Sequence, residues 1–381
     1  MTMRVVDSLA QVCPAQWDAL LPEPQPFVRH AFLSALEESG SVSAACGWQP
    51  AHRLWFGDDG RVAAAMPAYI KQHSYGEYVF DHAWADACFR AGIEYYPKLL
   101  SAAPFSPVGG ARLLGGAQAC IQLLAGLEDD LPAQGLSGAH INFTSAACDQ
   151  LLADRGAWMQ RLGCQFHWRN QGYRDFQDFL ETLASRKRKQ MRKERERVAA
   201  QGLNCIWRQA SELTEAEWDF IYQCYANTYW VRQRHPYLNR TFFSLLARDM
   251  ADSLEVLMVY QQGRAVAMAL YFTAAGTLYG RYWGALQEFD YLHFEACIYQ
   301  GIERCIEQGW ARFDAGAQGE HKLVRGFEPS ITHSWHYLLH PGLRSAVADF
   351  LAQERLGVLA YADDARKMLP YRRDRASGNE Q

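Results

Sequence analysis

The chain has no glycine-rich phosphate loop, no nucleophile elbow and no apolar run long enough to cross a bilayer. G-x-G-x-x-G, G-x-x-x-x-G-K-[ST], G-x-S-x-G and H-E-x-x-H are all absent. Their absence removes support for the dinucleotide-dependent, P-loop, serine-hydrolase and zincin classes. The longest uninterrupted apolar stretch, Ala265 to Phe272, falls far short of the roughly 20 residues a spanning helix needs. Ten cysteines are scattered from Cys13 to Cys305 without a C-x-x-C pair or a His/Cys cluster at zinc spacing. They read as reduced core residues, and no metal site is expected. The amino terminus, MTMRVVDSLAQVCPAQWDALLPEP, carries acidic and polar breaks where a signal peptide needs an apolar core. The expected location is therefore the cytoplasm.

What is present is ordinary globular composition, 49% hydrophobic and 21% charged over 381 residues, enough for two domains with separate cores. Net charge is −4, so a chain that binds nucleic acid over its whole surface is not expected. The positive charge is concentrated instead. Phe176 to Gly202 has no internal proline or glycine and reads as one long helix, and from Arg186 to Arg197 it carries eight basic and two acidic residues. Such a run is either a solvated face laced with ion pairs or a platform for phosphates.

The stretch from Leu292 to Leu338 concentrates the candidate chemistry. Ile298, Ile302, Cys305 and Ile306 recur at helical spacing up to a glycine stop at Gly309, and Glu295 falls on the same apolar stripe. A carboxylate there must be paired, protonated or facing a cleft. A short strand, Ala311 to Phe313, then leads to Asp314, a glycine-rich turn, and Glu320, His321, Lys322 and Arg325 within six positions. Loops past the carboxyl ends of strands are where open α/β sheets hold ligands.

Elsewhere the pattern predicts an α-rich lead-in over residues 1–50 and a hairpin of Arg53–Phe56 with Arg61–Ile70 around Gly57-Asp-Asp-Gly60. It also predicts a strand at Tyr78–Phe80, helices over 117–124 and 148–162 flanking a strand at 139–143, and helices over 343–351 and 356–361. A second hairpin pairs Leu254–Tyr260 with Ala265–Thr273, followed by a strand at Thr277–Gly284. GRVAAAMPAY (Gly60 to Tyr69) and GRAVAMALY (Gly263 to Tyr271) match in placement and texture, which suggests two copies of one α/β unit. Tyr229 and Trp230 open a polar aromatic run ending at Tyr237 and read as a substrate-contacting loop. Residues 372–381 read as a frayed polar tail.

Four segments carry a family resemblance: FDHAWADA (Phe80 to Ala87), YYPKLL with PFSPVGGARLL (Tyr95 to Leu114), LHFEACIYQGIE (Leu292 to Glu303) and AQGEHKLVRGF (Ala317 to Phe327). With the basic helix SRKRKQMRKERERVAAQG, they make the chain resemble the FemAB-like N-acyltransferases of the GNAT superfamily, described as peptidoglycan biosynthesis or recognition proteins. The resemblance implies an α/β (α+β) fold of tandem GNAT-like (acyl-CoA N-acyltransferase) units, with mixed sheets flanked by helices. The expected units are residues 1–165 and 166–360, the second including the basic helix near 176–202, with 361–381 as a helix end and tail.

The resemblance further implies transfer of an acyl or aminoacyl group to an amine, with a cell-wall precursor as a candidate acceptor. The donor is a phosphate-bearing co-substrate, acyl-CoA or aminoacyl-tRNA, and no cofactor is bound permanently. Acetyl-CoA users of this fold carry a glycine-bearing Q/R-x-x-G-x-G/A loop between strand and helix, whereas Ala285-Leu-Gln-Glu-Phe-Asp290 has no glycine; the aminoacyl-tRNA donor therefore stays open beside acyl-CoA. The chemistry asks for a general base, an oxyanion stabiliser and cations for phosphates. Glu295, Glu320, Asp314, His293 and His321 are the candidate bases, and Tyr282 the candidate stabiliser. Lys322, Arg325, Arg186, Lys187, Arg188 and Lys189 are the candidate donor-binding residues, with Asp81, Trp84, Tyr229, Trp230 and Arg281 for substrate. The rival expectation is a non-catalytic GNAT-fold module that recognises a precursor or tRNA. The two are separated by whether Glu295, Glu320 and Arg325 share one pocket.

Overall fold

The computed structural model describes residues 2–317 and 319–372. All of the polar tail except Arg372, and Gln318 in the glycine-rich turn, lie outside the described residues. The chain divides into two compact units, each a mixed sheet flanked by helices. The first gathers Met1–Cys164, Tyr237–Ala251 and Ile331–Ala360; the second gathers Gln165–Pro236, Asp252–Ser330 and Tyr361–Gln381.

In the first unit Leu99–Ser101 runs parallel to Ala139–Ile141, and Ser334–Leu338 pairs antiparallel with Gly138–Asn142 on the other side. Tyr69–Lys71 and Trp48–Pro50 extend the sheet. A smaller sheet joins Thr2–Val6, His52–Phe56, Val62–Met66 and Leu114–Gly115. Because side chains alternate along a strand, these registers bring Lys71, Lys98, His140 and His336 to one face. The helix His82–Ala91 covers that face, with Trp84 edge-on to His336 at 4.9 Å. Leu343, Val347 and Leu351 of the helix Pro341–Lys367 seal it against Trp84, Cys88 and Tyr95.

The covered face is polar. The Lys98 ammonium donates to Ser74 Oγ (2.9 Å), to Glu77 Oε2 (2.8 Å) and to Asp81 Oδ2, which also accepts from Tyr95 OH (2.6 Å). Burial alone raises a carboxyl pKa, but the charge of Lys98 outweighs it and holds Asp81 well below its usual range. Two motifs of the family resemblance, FDHAWADA and YYPKLL, thus supply the two halves of a buried ion pair.

The second unit is built from tight hairpins. Gln262 and Gly263 both have positive φ, 50° and 76°, as do Ala275 and Gly276, 47° and 70°. Two-residue turns of this kind match the strand twist and join Leu254–Gln261, Arg264–Ala274 and Thr277–Ala285 into a meander. Leu203–Gln209 pairs on the far side of Leu254–Gln261. Arg312–Asp314 runs parallel to Thr277–Tyr279, and His167–Arg169 antiparallel to Arg312–Asp314. The helix Glu215–Trp230 starts on a reciprocal Thr214/Glu217 cap. It seats on the meander at Gly284, where a Cβ would lie 2.0 Å from Cys224 O.

Several expectations are corrected. The long helix breaks into Phe176–Thr182 and Ser185–Ala200, because Leu183 is drawn into an extended bridge with Tyr371 and Ala184 N–H bonds Pro370 O (2.8 Å). Tyr78–Phe80 is irregular, and the helix expected over 148–162 ends at Ala153, with a strand, Met159–Arg169, after it. Residues 237–251 and 331–360 group with the first unit. Phe242 of the helix Arg240–Asp249 packs on Phe32 at 5.8 Å, and Ser334–Leu338 is paired as above. The two helices expected over 343–361 are one, Pro341–Lys367.

Removing Lys98 takes the ion-pair partner from buried Asp81 and leaves Glu77 with Lys71 at 3.9 Å. Lys98→Met is expected to cost about 3–5 kcal/mol of unfolding free energy in urea titrations. The share contributed by Asp81, whose folded pKa is depressed, is present above its unfolded value near 4 and drains as pH falls. The Lys98→Met protein should therefore lose less of its remaining stability than the parent between about pH 5 and 3. An unchanged midpoint at neutral pH would contradict the role given to this pair.

Candidate functional site

The strand Thr277–Ala285 carries a bulge. Leu270 faces Tyr282 and Tyr271 faces Gly280, so Arg281 has no cross-strand partner. Bulges re-aim side chains and bend strands. The parallel pairing with Arg312–Asp314 stops at Tyr279, and at the fork Arg281 forms a two-pronged ion pair with Asp314, at 2.7 and 3.2 Å. Both side chains are almost fully buried. His167 Nε2 approaches the same carboxylate at 3.9 Å, and Gly316 N–H donates to it at 2.9 Å. Burial would raise the Asp314 pKa, but Arg281 and then His167 overrule it and hold the carboxyl far below its usual range. Asp314 is committed to this buried ion pair, so it holds the fork rather than serving as a base.

Lys322 seals the turn that follows. Its ammonium donates to Ala315 O (2.9 Å) and Gly316 O (2.6 Å), using two of its three N–H donors. Burial lowers its pKa to about 8, against the opposing pull of Asp314. Arg325 lies 3.7 Å over the Phe294 ring and donates to Tyr299 OH (2.8 Å), His321 O (2.9 Å) and Glu194 Oε2 (2.9 Å).

Beyond the bulge a cleft of about 1060 Å³ opens between the end of the helix Glu215–Trp230 and the connection to the next helix. Asn227, Thr228, Val231 and Arg232 form one wall; Trp283 and residues 285–293 form the other. Of the expected bases, His293 is the one that lines this cleft. Its exposed edge faces solvent, while Trp283 and Phe294 pack against its ring at 5.6 and 5.7 Å. Desolvation, and after it the neighbouring His321, Lys322 and Arg325, lowers its pKa to about 4. The imidazole is then neutral at physiological pH. His321, 6.4 Å from His293 between ring centroids, is lowered in the same way by desolvation, Lys322 and Arg325.

The other candidates sit elsewhere. Glu295 is buried, as its phase on the apolar stripe requires, and it faces Arg195: Nη2 to Oε1 at 3.0 Å and Nε to Oε2 at 3.1 Å, with Gln300 Nε2 at 2.8 Å. Arg195 also binds Glu303 at 2.7 Å. Glu320 is exposed and accepts from Tyr361 OH (3.1 Å). Glu295, Glu320 and Arg325 therefore do not share a pocket. Tyr282 is buried beside the rings of Tyr225 and Phe272 at 5.5 and 6.2 Å. Trp230 is exposed and Tyr229 lies against Tyr225, while their neighbours Thr228, Val231 and Arg232 line the cleft. Asp81 and Trp84 are interior residues of the first unit. Arg186 and Lys189 are exposed and Lys187 and Arg188 half-buried on the basic helix.

Sequence reasoning missed Glu194, Arg195 and Lys98. Glu194 lies between Met191 and Val198, the apolar positions that mark the inner face of the basic helix, and that spacing was the available signal. Among the described residues no group of three or more His, Cys, Asp or Glu is placed to hold a metal ion, and no helix is long and apolar enough to cross a membrane.

The family model for FemAB-like proteins, described as peptidoglycan biosynthesis/recognition, matches residues 8–373. Two solved structures share the fold. FemX is similar at 11% identity over 91% of this chain and 100% of its own, with a TM-score of 0.54. The C-terminal domain (DUF2156) of a putative lysylphosphatidylglycerol synthetase from Agrobacterium fabrum is similar at 12% identity over 91% and 97%, with a TM-score of 0.52. No curated protein sequence matches the chain.

Glu295→Gln tests the ion pair with Arg195. Because Arg195 keeps Glu303, the expected loss is moderate, about 1–3 kcal/mol in chemical denaturation, with the fold retained by circular dichroism. Unchanged stability would show that the pair is not structural.

Proposed function

The chain belongs to the FemAB-like family, and from that premise we propose that its second unit transfers an acyl or aminoacyl group from a phosphate-bearing donor to an amine. The observation that supports this best is His293. An imidazole whose pKa the buried Lys322 ammonium helps to lower stands in the wall of a large cleft. In the reaction the amine nitrogen attacks the donor's carbonyl carbon and gives its proton to His293. Lys322 stabilises the oxyanion of the tetrahedral intermediate. Collapse breaks the C–S or C–O bond of the donor, and the leaving thiol or ribose hydroxyl takes up the proton. The family description points to a peptidoglycan precursor as the source of the acceptor amine.

The donor's phosphates are assigned to the outer face of Ser185–Ala200. Arg186, Lys189, Arg192 and Lys193 are exposed there. The cations from Arg186 to Arg197 span about 16 Å of helix axis, a length that suits successive backbone phosphates of an RNA strand better than one pyrophosphate. Two observations favour the non-catalytic rival: Glu295, Glu320 and Arg325 do not share a pocket, and the carboxylates Glu295 and Asp314 are both committed to arginines.

Amide formation, followed by mass spectrometry with aminoacyl-tRNA or acyl-CoA and an amine, decides between them. His293→Gln is expected to keep donor binding and lose turnover by a factor on the order of 10² or more. In the parent protein the rate should fall as pH rises through about 8, where Lys322 loses its charge. Full activity in His293→Gln, or no amide from any donor, would refute the catalytic assignment. Replacing Arg186, Lys187, Arg188 and Lys189 with Gln is expected to weaken binding of the phosphate-bearing donor. It should also flatten the plot of log K against log salt by about 2–3 in slope. An unchanged slope would make the helix a solvated face.

A further inference from the structure

The inner and outer faces of Ser185–Ala200 do different things, and the last turn touches the cleft. Arg197 Nη1 donates to Tyr291 OH at 3.0 Å, with the guanidinium 5.4 Å from the centre of that ring. Gln201, the residue that ends the helix, grips the backbone of Asp290 from both sides: its Nε2 donates to Asp290 O (3.0 Å) and its Oε1 accepts from Asp290 N–H (3.2 Å). Asp290 and Tyr291 are the rim of the cleft, immediately before His293. The rim has little regular structure of its own: residues 286–290 lie in no helix or strand, and Tyr291 sits at φ 63° without being glycine. The meander holds one end of it, through Leu286 N–H to Val266 O (3.1 Å), and the end of the basic helix holds the other, at Asp290 and Tyr291.

That helix is under electrostatic load. Lys189 and Lys193, Arg188 and Arg192, and Lys193 and Arg197 are like charges four residues apart, an arrangement that weakens a helix. A polyanion along the outer face removes the repulsion and firms the last turn. We infer that the basic helix couples occupancy of its cationic face to the geometry of the cleft rim, with Gln201 and Tyr291 as the positioning residues through which the coupling passes. The inference rests on the assignment of phosphates to this helix. It adds that a bound phosphate backbone orders the wall that carries His293, and by reciprocity a ligand in the cleft tightens polyanion binding by the same factor.

The test uses the full chain labelled with 5-fluorotryptophan, a short single-stranded oligoribonucleotide as polyanion, and Trp283 as reporter. Trp283 lines the cleft, and its resonance among the twelve tryptophans is identified with Trp283→Phe. Calorimetry measures binding in parallel. In the parent the oligoribonucleotide is expected to bind and to shift the Trp283 fluorine resonance. In Gln201→Ala, and separately in Tyr291→Phe, neither of which removes a cation, affinity should stay within about threefold while the Trp283 shift falls by about half or more. Binding that leaves Trp283 unmoved in the parent overturns the coupling but spares the phosphate assignment, as does an equal shift in parent and both variants. Failure of the oligoribonucleotide to bind the parent overturns both.

Discussion

Glu194 and Arg195, neighbours in the middle of a cationic helix, turn inward and hold the functional elements of the second unit to one another. Glu194 accepts from Arg325 and from Tyr299 OH, fixing the segment after the glycine-rich turn. Arg195 spans Glu295 and Glu303, fixing the helix that follows the cleft. That helix carries a π-turn over Glu295–Tyr299, after a first turn at Leu292–Phe294. Such turns are rare and need support from outside the segment, and here the arginine fork provides it. Without this pair the outward cations would repel one another on a helix with only Met191 and Val198 to bury.

The same economy governs the buried charges elsewhere. Asp314 is pinned by Arg281, and Asp81 by Lys98, each deep enough that loss of one partner strands the other. In both cases the ion pair sits where a strand meets an irregular segment: Asp314 ends its strand, and Lys98 begins one. Ion pairs at such points fix the direction of a loop that has no ladder hydrogen bonds to direct it. The bulge at Arg281 then separates two strands, and the cleft opens beyond it.

Much of the scaffold was legible locally. The meander over 254–285 follows from alternating apolar residues and glycine turns, and the burial of Glu295 follows from its helical phase. What could not be read was partnership. Arg195 lies 100 residues before Glu295, and nothing in a single sequence distinguishes it from the cations beside it. The break at Leu183 was hidden for the same reason, since its cause is Tyr371, far along the chain. Asp81 stood out as a motif residue and Lys98 did not, because their burial depends on a helix, His82–Ala91, whose period is masked by alanines. A cluster of ionisable residues within six positions suggested one pocket, yet alternate residues on a tight helical turn face different neighbours. Thus Lys322 and Arg325 went inward and Glu320 outward.

Whether the second unit binds a phosphate-bearing donor is measured most directly by hydrogen–deuterium exchange of the full chain with and without aminoacyl-tRNA or acyl-CoA. Slower exchange in peptides covering both 186–197 and 285–293 is the expected result. No ligand-dependent change in either segment, or protection confined to the first unit, would contradict it.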